Sequence, residues 1–369
     1  MVNRERMIRE FMSLVEIDSE SFQERKMADV LKKILLDLGF ELIEDNAGSY
    51  YNSGCGNIYG YLQGEPDYEP ILLSAHMDTV APGKNKKAVL HEDGTITSDG
   101  STVLGADDLS GIVAILEAVR TVKEQGLKHR SIEVLFTIAE EAYIRGSEVL
   151  DYSMIKSSQA YVLDLAGPVG TAAIAAPSVL SFDACIKGRA SHAGFAPEQG
   201  INAIKVAAEA ISQIRQGWTD DYTTVNIGQI EGGKARNIVS DECIVKGEVR
   251  SMSHNKAEAE IISIKNTFEA VAEKYKAELS FSTDIGCLAY STDSGHPVVK
   301  RFIDACQELG YESRLINTFG GSDNNNFMRH GIMGIVIACG MNKVHSCSEY
   351  TSADELERCC NIVIKLITI

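Results

Sequence analysis

The chain has 369 residues, 44% of them apolar, which is enough for a large core and more than one core usually organises, so two domains are expected. Its 52 acidic and 35 basic side chains give a formal charge of −17, which argues against nucleic acid or an anionic membrane as the main partner. No apolar run approaches the roughly 18 residues of a membrane span, the first ten residues, MVNRERMIRE, lack the apolar stretch of a secretory signal, and nine scattered cysteines without CxxC spacing read as reduced core residues. A cytoplasmic protein is expected.

Taken in chain order, Arg4 to Val15 and Lys26 to Leu38 carry helical periodicity, the second run stopping at Gly39. Strand-like runs follow at Asn57 to Leu62 and Ile71 to Ala75. Next come a long helix from Asp108 to about Lys123, the strand Ile132 to Ile138, a short helix near Gly146 to Tyr152 and the strand Ala160 to Leu163. Short apolar runs alternating with helices mark an α/β domain with a largely parallel sheet covered on both faces. After Pro177 the pattern changes: strand Leu180 to Gly188, helix Asn202 to Ile214, strands Thr224 to Ile230 and Glu242 to Ser251, helix Lys256 to Lys274, strand Glu278 to Thr283. That is the ferredoxin-like order. The α/β character returns with a helix from Pro297 to Leu309 and strands near Ser313 to Ile316 and Gly334 to Ala338. Residues 179–289 are therefore expected to form an α+β domain inserted into a catalytic domain of residues 1–178 and 290–369.

Five potential metal ligands lie at or just beyond strand ends, where open parallel sheets gather their functional groups. In SAHMDTV, His76 and Asp78 follow a strand; two apart in extended chain, they share a face, so Asp78 can accept from the imidazole nitrogen that does not bind metal. In LGADDLSG, Asp107 and Asp108 stand at a helix entrance, where capping is the plainer account, but a carboxylate there can also bridge two cations. In FTIAEEAY, Glu140 and Glu141 point different ways after a strand, so one can bind metal while the other serves as general base. Asp164 ends the strand YVLD, and His345 lies in MNKVHSCSEY beyond the last apolar strand. Singly, each has an ordinary structural reading. The joint arrangement of two histidines and three carboxylates, with a spare glutamate and an aspartate behind a histidine, does not.

The order HMD, GADD, EE, a following Asp and a distant His resembles the co-catalytic di-zinc exopeptidases, which include peptidase T, carboxypeptidase G and the acetylornithine and succinyl-diaminopimelate deacylases. The resemblance spans essentially the whole chain. Within that group LGADD, LDLAGPVG and SHAGFAPEQGINAI look like tripeptidase T and its relatives. The resemblance implies that His76, Asp107 and Asp164 hold one zinc and Asp107, Glu141 and His345 the other, with Co2+ or Mn2+ as substitutes. Asp107 then bridges, Glu140 is the general base and acid, and Asp78 orients His76. It also implies a cis peptide bond between Asp107 and Asp108. In the inserted domain, the lid of this family, it makes His192 an oxyanion donor. It gives Asn237, Arg250 and the glycine loop GGSD, Gly320 to Asp323, with Gly320, Gly321 and Ser322 foremost, to substrate binding, the arginine suiting a carboxylate.

The implied substrate is a small peptide cut after its first residue, tripeptides first, and a homodimer through the lid is left open. A deacylase or carboxypeptidase of the same superfamily is the alternative; a catalytically silent scaffold would be marked by loss of Glu140 or Asp107, and both are present. One departure stands out: Tyr143 occupies a position that is glycine in relatives, which puts substrate choice rather than the chemistry in doubt.

Overall fold

The computed structural model describes residues 2–369, in two compact units. The first comprises residues 2–175, 291–318 and 322–369, and the second residues 176–290 with 319–321.

The first unit opens with α1 (Arg4–Val15), α2 (Arg25–Asp37), β1 (Glu41–Glu44), α3 (Ala47–Tyr51), β2 (Ile58–Leu62) and β3 (Ile71–His76). The amphipathic pattern of α1 buries Met7, Phe11, Leu14 and Val15, and Asn3 caps it by accepting from the Arg6 N–H at 3.1 Å. After two short strands, β4 (Val89–Leu90) and β5 (Thr95–Thr97), come α4 (Ala106–Glu124), β6 (Ile132–Thr137), α5 (Arg145–Glu148), β7 (Gln159–Leu165) and β8 (Thr171–Ala176). All six residues of β3 and of β6 are buried, as expected for mainly apolar strands in a covered parallel sheet.

In the second unit β9 (Ser178–Lys187), α6 (Ala203–Gln213), β10 (Gly217–Asp220), β11 (Thr223–Gly232), β12 (Glu242–Ser251), α7 (His254–Tyr275) and β13 (Glu278–Cys287) form a five-stranded sheet in the order β10-β11-β12-β9-β13. Every neighbouring pair is antiparallel. Apart from the edge strand β10, this is the ferredoxin-like arrangement. Residues Leu180, Phe182, Ala184 and Ile186 alternate along β9 toward the core that α6 and α7 supply through Val206, Ala210, Ile264 and Phe268.

At the junction back to the first unit lies β14 (Tyr290–Ser291), followed by α8 (Pro297–Leu309), β15 (Arg314–Asn317), α9 (Asp323–Arg329), β16 (Met333–Ala338), β17 (Tyr350–Ser352) and α10 (Ala353–Ile367). The large sheet runs β1-β2-β6-β3-β7-β16-β8, parallel through β6, β3, β7 and β16 and antiparallel at β1, β2 and the β16–β8 contact. Helix α4 is buried on nearly every side and packs on β3, β7, α1 and α10. Its one buried carboxylate facing α1, Glu117, is met by Arg6 at 2.8 Å and Arg120 at 3.1 Å.

Several elements were not anticipated. Helix α10 carries a Ser352 cap and an amphipathic face that buries Leu356, Cys359, Val363 and Leu366, so its signal was present in the chain and was passed over. Strands β4, β5 and β17 form a separate small sheet whose two- and three-residue members are too short to show periodicity. The expected short helix near Gly146 to Tyr152 is instead α5 plus a 3-10 turn at Tyr152–Met154. Residues 319–321 group with the second unit, because the Phe319 ring meets Trp218 edge-on at 4.7 Å and its carbonyl accepts from Arg250 Nη1 at 2.9 Å.

Candidate metal centre and active site

Four adjacent parallel strands, β6, β3, β7 and β16, bring their carboxyl ends to one edge of the sheet, and each delivers a candidate ligand there. His76 is the last residue of β3, Glu140 and Glu141 follow β6 past a turn in which Ala139 has φ +49°, and Asp164 lies in the last turnward stretch of β7. His345, with φ +60°, is in the loop after β16. Asp107 enters at the head of α4, where the helical backbone is broken at Asp107 and Asp108 and the peptide bond between them is cis.

One carboxylate sits between two imidazoles. Asp107 Oδ1 lies 3.0 Å from His76 Nε2, and Asp107 Oδ2 lies 3.3 Å from His345 Nε2. Asp164 approaches His76 Nε2 at 3.8 Å, while Glu141 Oε1 meets His345 Nε2 at 2.9 Å. Ligand atoms of His76, Asp107 and Glu141 fall within 4.8 Å of one another, and so do those of His76, Glu140 and Asp164.

The electrostatics are those of several buried carboxyl groups gathered close around two imidazoles. Burial, reinforced by Glu141, pushes the Glu140 carboxyl well above its ordinary value, and burial with Glu140 and Asp107 nearby does the same to Asp164. Burial raises Glu141 as well, against its hydrogen bond with His345. Asp107 goes the other way: burial pushes it up, but the hydrogen bonds with His345 and His76 outweigh burial and hold it well below the usual carboxylate range. His345 is raised to about 10 by its hydrogen bonds to Asp107 and Glu141. His76 is pulled down by burial yet held above its ordinary value by Asp107 and Asp78.

These residues fit a pair of divalent cations. His76 Nδ1 donates to the main-chain carbonyl of Asp78 at 2.9 Å, which fixes the tautomer and turns Nε2 toward the carboxylates. Each histidine turns Nε2 toward carboxylate oxygens, and a cation there would accept those lone pairs and relieve the repulsion among buried carboxylates. Nitrogen and oxygen donors without thiolate suit zinc, cobalt or manganese.

Asp78 holds more than the imidazole. Its carboxylate is 3.4 Å from His76 Nδ1, farther than its own carbonyl, and instead accepts from the N–H of Glu140 at 2.9 Å, the N–H of Glu141 at 3.2 Å and the Ser21 hydroxyl at 2.7 Å. The expectation that the Asp78 side chain orients His76 is thus modified: the backbone does most of the orienting, and the carboxylate fastens the glutamate pair.

In the second unit, His192 and Asn237 are brought together, the Ala193 N–H donating to the Asn237 carbonyl at 3.0 Å. His192 Nδ1 accepts from the N–H groups of Gly194 and Phe195 at 3.1 and 3.2 Å, so the neutral ring carries its proton on Nε2. Arg250 is not a free fork: Nε and Nη2 face Glu248 at 2.8 and 3.3 Å while Nη1 donates to Phe319. Gly320 and Gly321 belong to this unit, whereas Ser322 begins α9 in the first, its N–H donating to Asn325 Oδ1 at 3.0 Å.

Three buried polar residues near the centre, Glu24, Lys86 and Glu349, escaped sequence reading, and a fourth, Asp323, was expected only as the end of the glycine loop. Glu24 accepts from the Ala139 N–H at 3.0 Å, directly before the glutamate pair. Asp323 accepts from the Thr137 and Ser147 hydroxyls at 2.6 and 2.5 Å. Lys86 donates to the carbonyls of Ile17 and Gly83, and Glu349 accepts from three N–H groups around Asp107. No local pattern singles them out, since each acts on a segment distant in the chain.

A parallel sheet with histidines and carboxylates converging beyond its strand ends, interrupted by a ferredoxin-like insertion, defines a metallopeptidase of the co-catalytic exopeptidase class. Residues 57–177 match peptidase family M28 and residues 174–276 match the peptidase dimerisation domain. The uncharacterized protein YqjE of Bacillus subtilis is 38% identical over 367 residues, covering 100% of this chain and 99% of that one. The crystal structure of aminopeptidase PepT from Bacillus cereus is 36% identical with a TM-score of 0.91, over 99% of this chain and 98% of that one. A tripeptidase structure from Staphylococcus aureus is 32% identical with a TM-score of 0.96, over 100% of this chain and 98% of that one. The chain belongs to the family of peptidase T and the tripeptidases similar to it, and is an enzyme of the metallopeptidase type.

Proposed function

We propose that this enzyme is an aminopeptidase that removes the first residue of short peptides, tripeptides foremost, with two zinc ions. The observation that carries the reading is Asp107, whose two oxygens face two different histidines. His76, Asp107 and Asp164 would hold one ion, and Asp107, Glu141 and His345 the other. When bound, the ions supply Lewis acidity, which acidifies water and polarises the scissile carbonyl.

The remaining chemistry falls to the chain. Of the two adjacent glutamates, Glu141 is the one that meets His345, which leaves Glu140 to take the proton from the attacking water and hand it to the leaving nitrogen. Asp78, bonded to both glutamate N–H groups, keeps that division of labour in place. His192, with its proton on Nε2, is a ready donor to the oxygen on which negative charge develops. Asn237, Arg250 and the loop Gly320, Gly321 and Ser322 are assigned to the substrate. Two of the five Arg250 N–H groups stay uncommitted beside Glu248 and Phe319, so a substrate carboxylate would share the guanidinium rather than own it.

We assign catalysis to residues 1–178 and 290–369 and the lid to residues 179–289. The dimerisation-domain match supports a homodimer through that lid, and nine free cysteines, seven of them buried, support a cytoplasmic setting.

A free tripeptide, its N-acetylated form, its C-terminal amide and a dipeptide, compared at equal concentration, test the reading. The free tripeptide should be cut fastest and the acetylated one negligibly. Equal rates for those two would replace the aminopeptidase with the deacylase or carboxypeptidase alternative.

A further inference from the structure

The head of α4 is held by a residue that no ligand set includes. Glu349, 1% exposed, stands four residues beyond His345 in the chain and 242 residues beyond Asp107. Its Oε2 accepts from the N–H groups of Leu104 and Gly105 at 2.8 and 2.7 Å, and its Oε1 accepts from the N–H of Asp107 itself at 2.9 Å. Three N–H donors thus converge on the two oxygens of one side chain, spanning the segment in which Gly105 takes φ +79° and the helix geometry breaks at Asp107.

The other end of Glu349 belongs to the histidine loop. Reciprocal main-chain bonds between Asn342 and Tyr350, at 2.9 and 3.0 Å, close that loop, and Glu349 sits at its base beside Tyr350. Above the base the loop is open to solvent: Ser346 and Ser348 bond to each other at 2.9 Å, and His345 is half-exposed. Besides the contact of His345 with Asp107 and the pairing of β17 with β5, Glu349 is the side chain of this loop that bonds the backbone at the head of α4.

We propose that Glu349 is a positioning residue for the metal pair, a clasp that fixes the bridging carboxylate of Asp107 against the loop carrying His345. The inference rests on the reading of Asp107 and His345 as metal ligands. It follows from chemistry that only a carboxylate satisfies: both oxygens must accept. In Glu349→Gln the amide oxygen can still serve one side, but the amide NH2 meets an N–H donor on the other, so the Asp107 turn or the loop must shift. Displacing a supporting partner of this kind costs about 10–100-fold in metal affinity.

The test titrates chelator-stripped protein with Co2+ and follows the visible spectrum for wild type, Glu349→Gln and Asp107→Asn. Wild type should take up two equivalents, Asp107→Asn should lose tight binding, and Glu349→Gln should bind one of the two at least tenfold more weakly with an altered spectrum. Asp107→Asn binding as tightly as wild type would sink the ligand reading and the clasp with it. Loss in Asp107→Asn together with wild-type affinity and spectrum in Glu349→Gln overturns the clasp alone, and a lowered melting temperature with unchanged Co2+ binding does so too, because a purely structural role predicts that pair. Should Glu349→Gln not fold, amide hydrogen exchange on the wild type decides: the N–H groups of Leu104, Gly105 and Asp107 must be protected in the metal-free protein, and free exchange there overturns the proposal.

Discussion

The N–H of Glu140 donates to Asp78 Oδ1 at 2.9 Å, joining the second residue past the His76 strand to the glutamate proposed as general base. Asp78 is fully buried and its second oxygen is shared by the Glu141 N–H and the Ser21 hydroxyl. In Asp78→Asn the amide NH2 meets one of these donors, so the turn at Ala139 to Glu141 should lose its register. We expect kcat to fall about 10–100-fold with KM little changed, together with weaker metal retention. Steady-state kinetics and metal content of the same sample check this; wild-type kcat would leave Asp78 without the role assigned to it.

Glu140→Gln separates chemistry from metal binding. The substitution keeps volume and removes the proton acceptor, while His76, Asp107, Glu141, Asp164 and His345 remain. Metal stoichiometry should match wild type and kcat should drop by at least two orders of magnitude, the usual share of a positioned general base. Unimpaired turnover would hand the proton to another group.

Tyr143 adopts φ +71°, in the left-handed region that glycine enters freely and other residues enter at a cost of about 1–2 kcal/mol. With 54% of its surface exposed the tyrosine recovers little of that through packing. Tyr143→Gly is therefore expected to gain up to about 1 kcal/mol of stability once glycine's own entropy is counted, whereas Tyr143→Ala gains nothing. Urea denaturation of the three proteins distinguishes them. Equal stability of the Gly and Ala variants would show that the backbone relaxes.

Lys86 supplies a pH signature. Burial draws its ammonium from 10.5 down to about 8, against the opposing pull of Asp18, Glu20 and Glu349. Between about pH 8 and 10.5 the unfolded chain binds a proton that the folded chain has released, so stability rises with pH across that window. The contribution is complete above the unfolded value and is lost as pH falls through the folded one. At about 1.4 kcal/mol per pH unit the window amounts to about 3 kcal/mol. The stability of wild type minus that of Lys86→Met, measured by urea denaturation in EDTA at pH 7, 8, 9 and 10, should climb accordingly; a flat difference would mean an ordinary lysine.

Much of this protein was legible from local pattern. Mainly apolar runs at Ile71 and Ile132, helical periodicity in α1 and α8, and the alternation along β9 state secondary structure directly, because burial on both sheet faces favours apolar runs and burial on one sheet or helix face imposes period 2 or 3.6 on the chain. The convergence of the candidate ligands His76, Asp107, Glu141 and His345 was legible too, since acids and histidines just past the ends of adjacent parallel strands meet at one edge of the sheet. What the sequence could not contain is the partnering across long separations. Asp78 fastening Glu140, Arg250 spending its fork on Glu248 and Phe319, and Glu349 accepting from Asp107 depend on which loops meet, and that is decided when β6, β3, β7 and β16 line up and bring their ends together. A buried carboxylate takes its partners from whatever donors the packed fold leaves unsatisfied, so its role appears only in the tertiary structure.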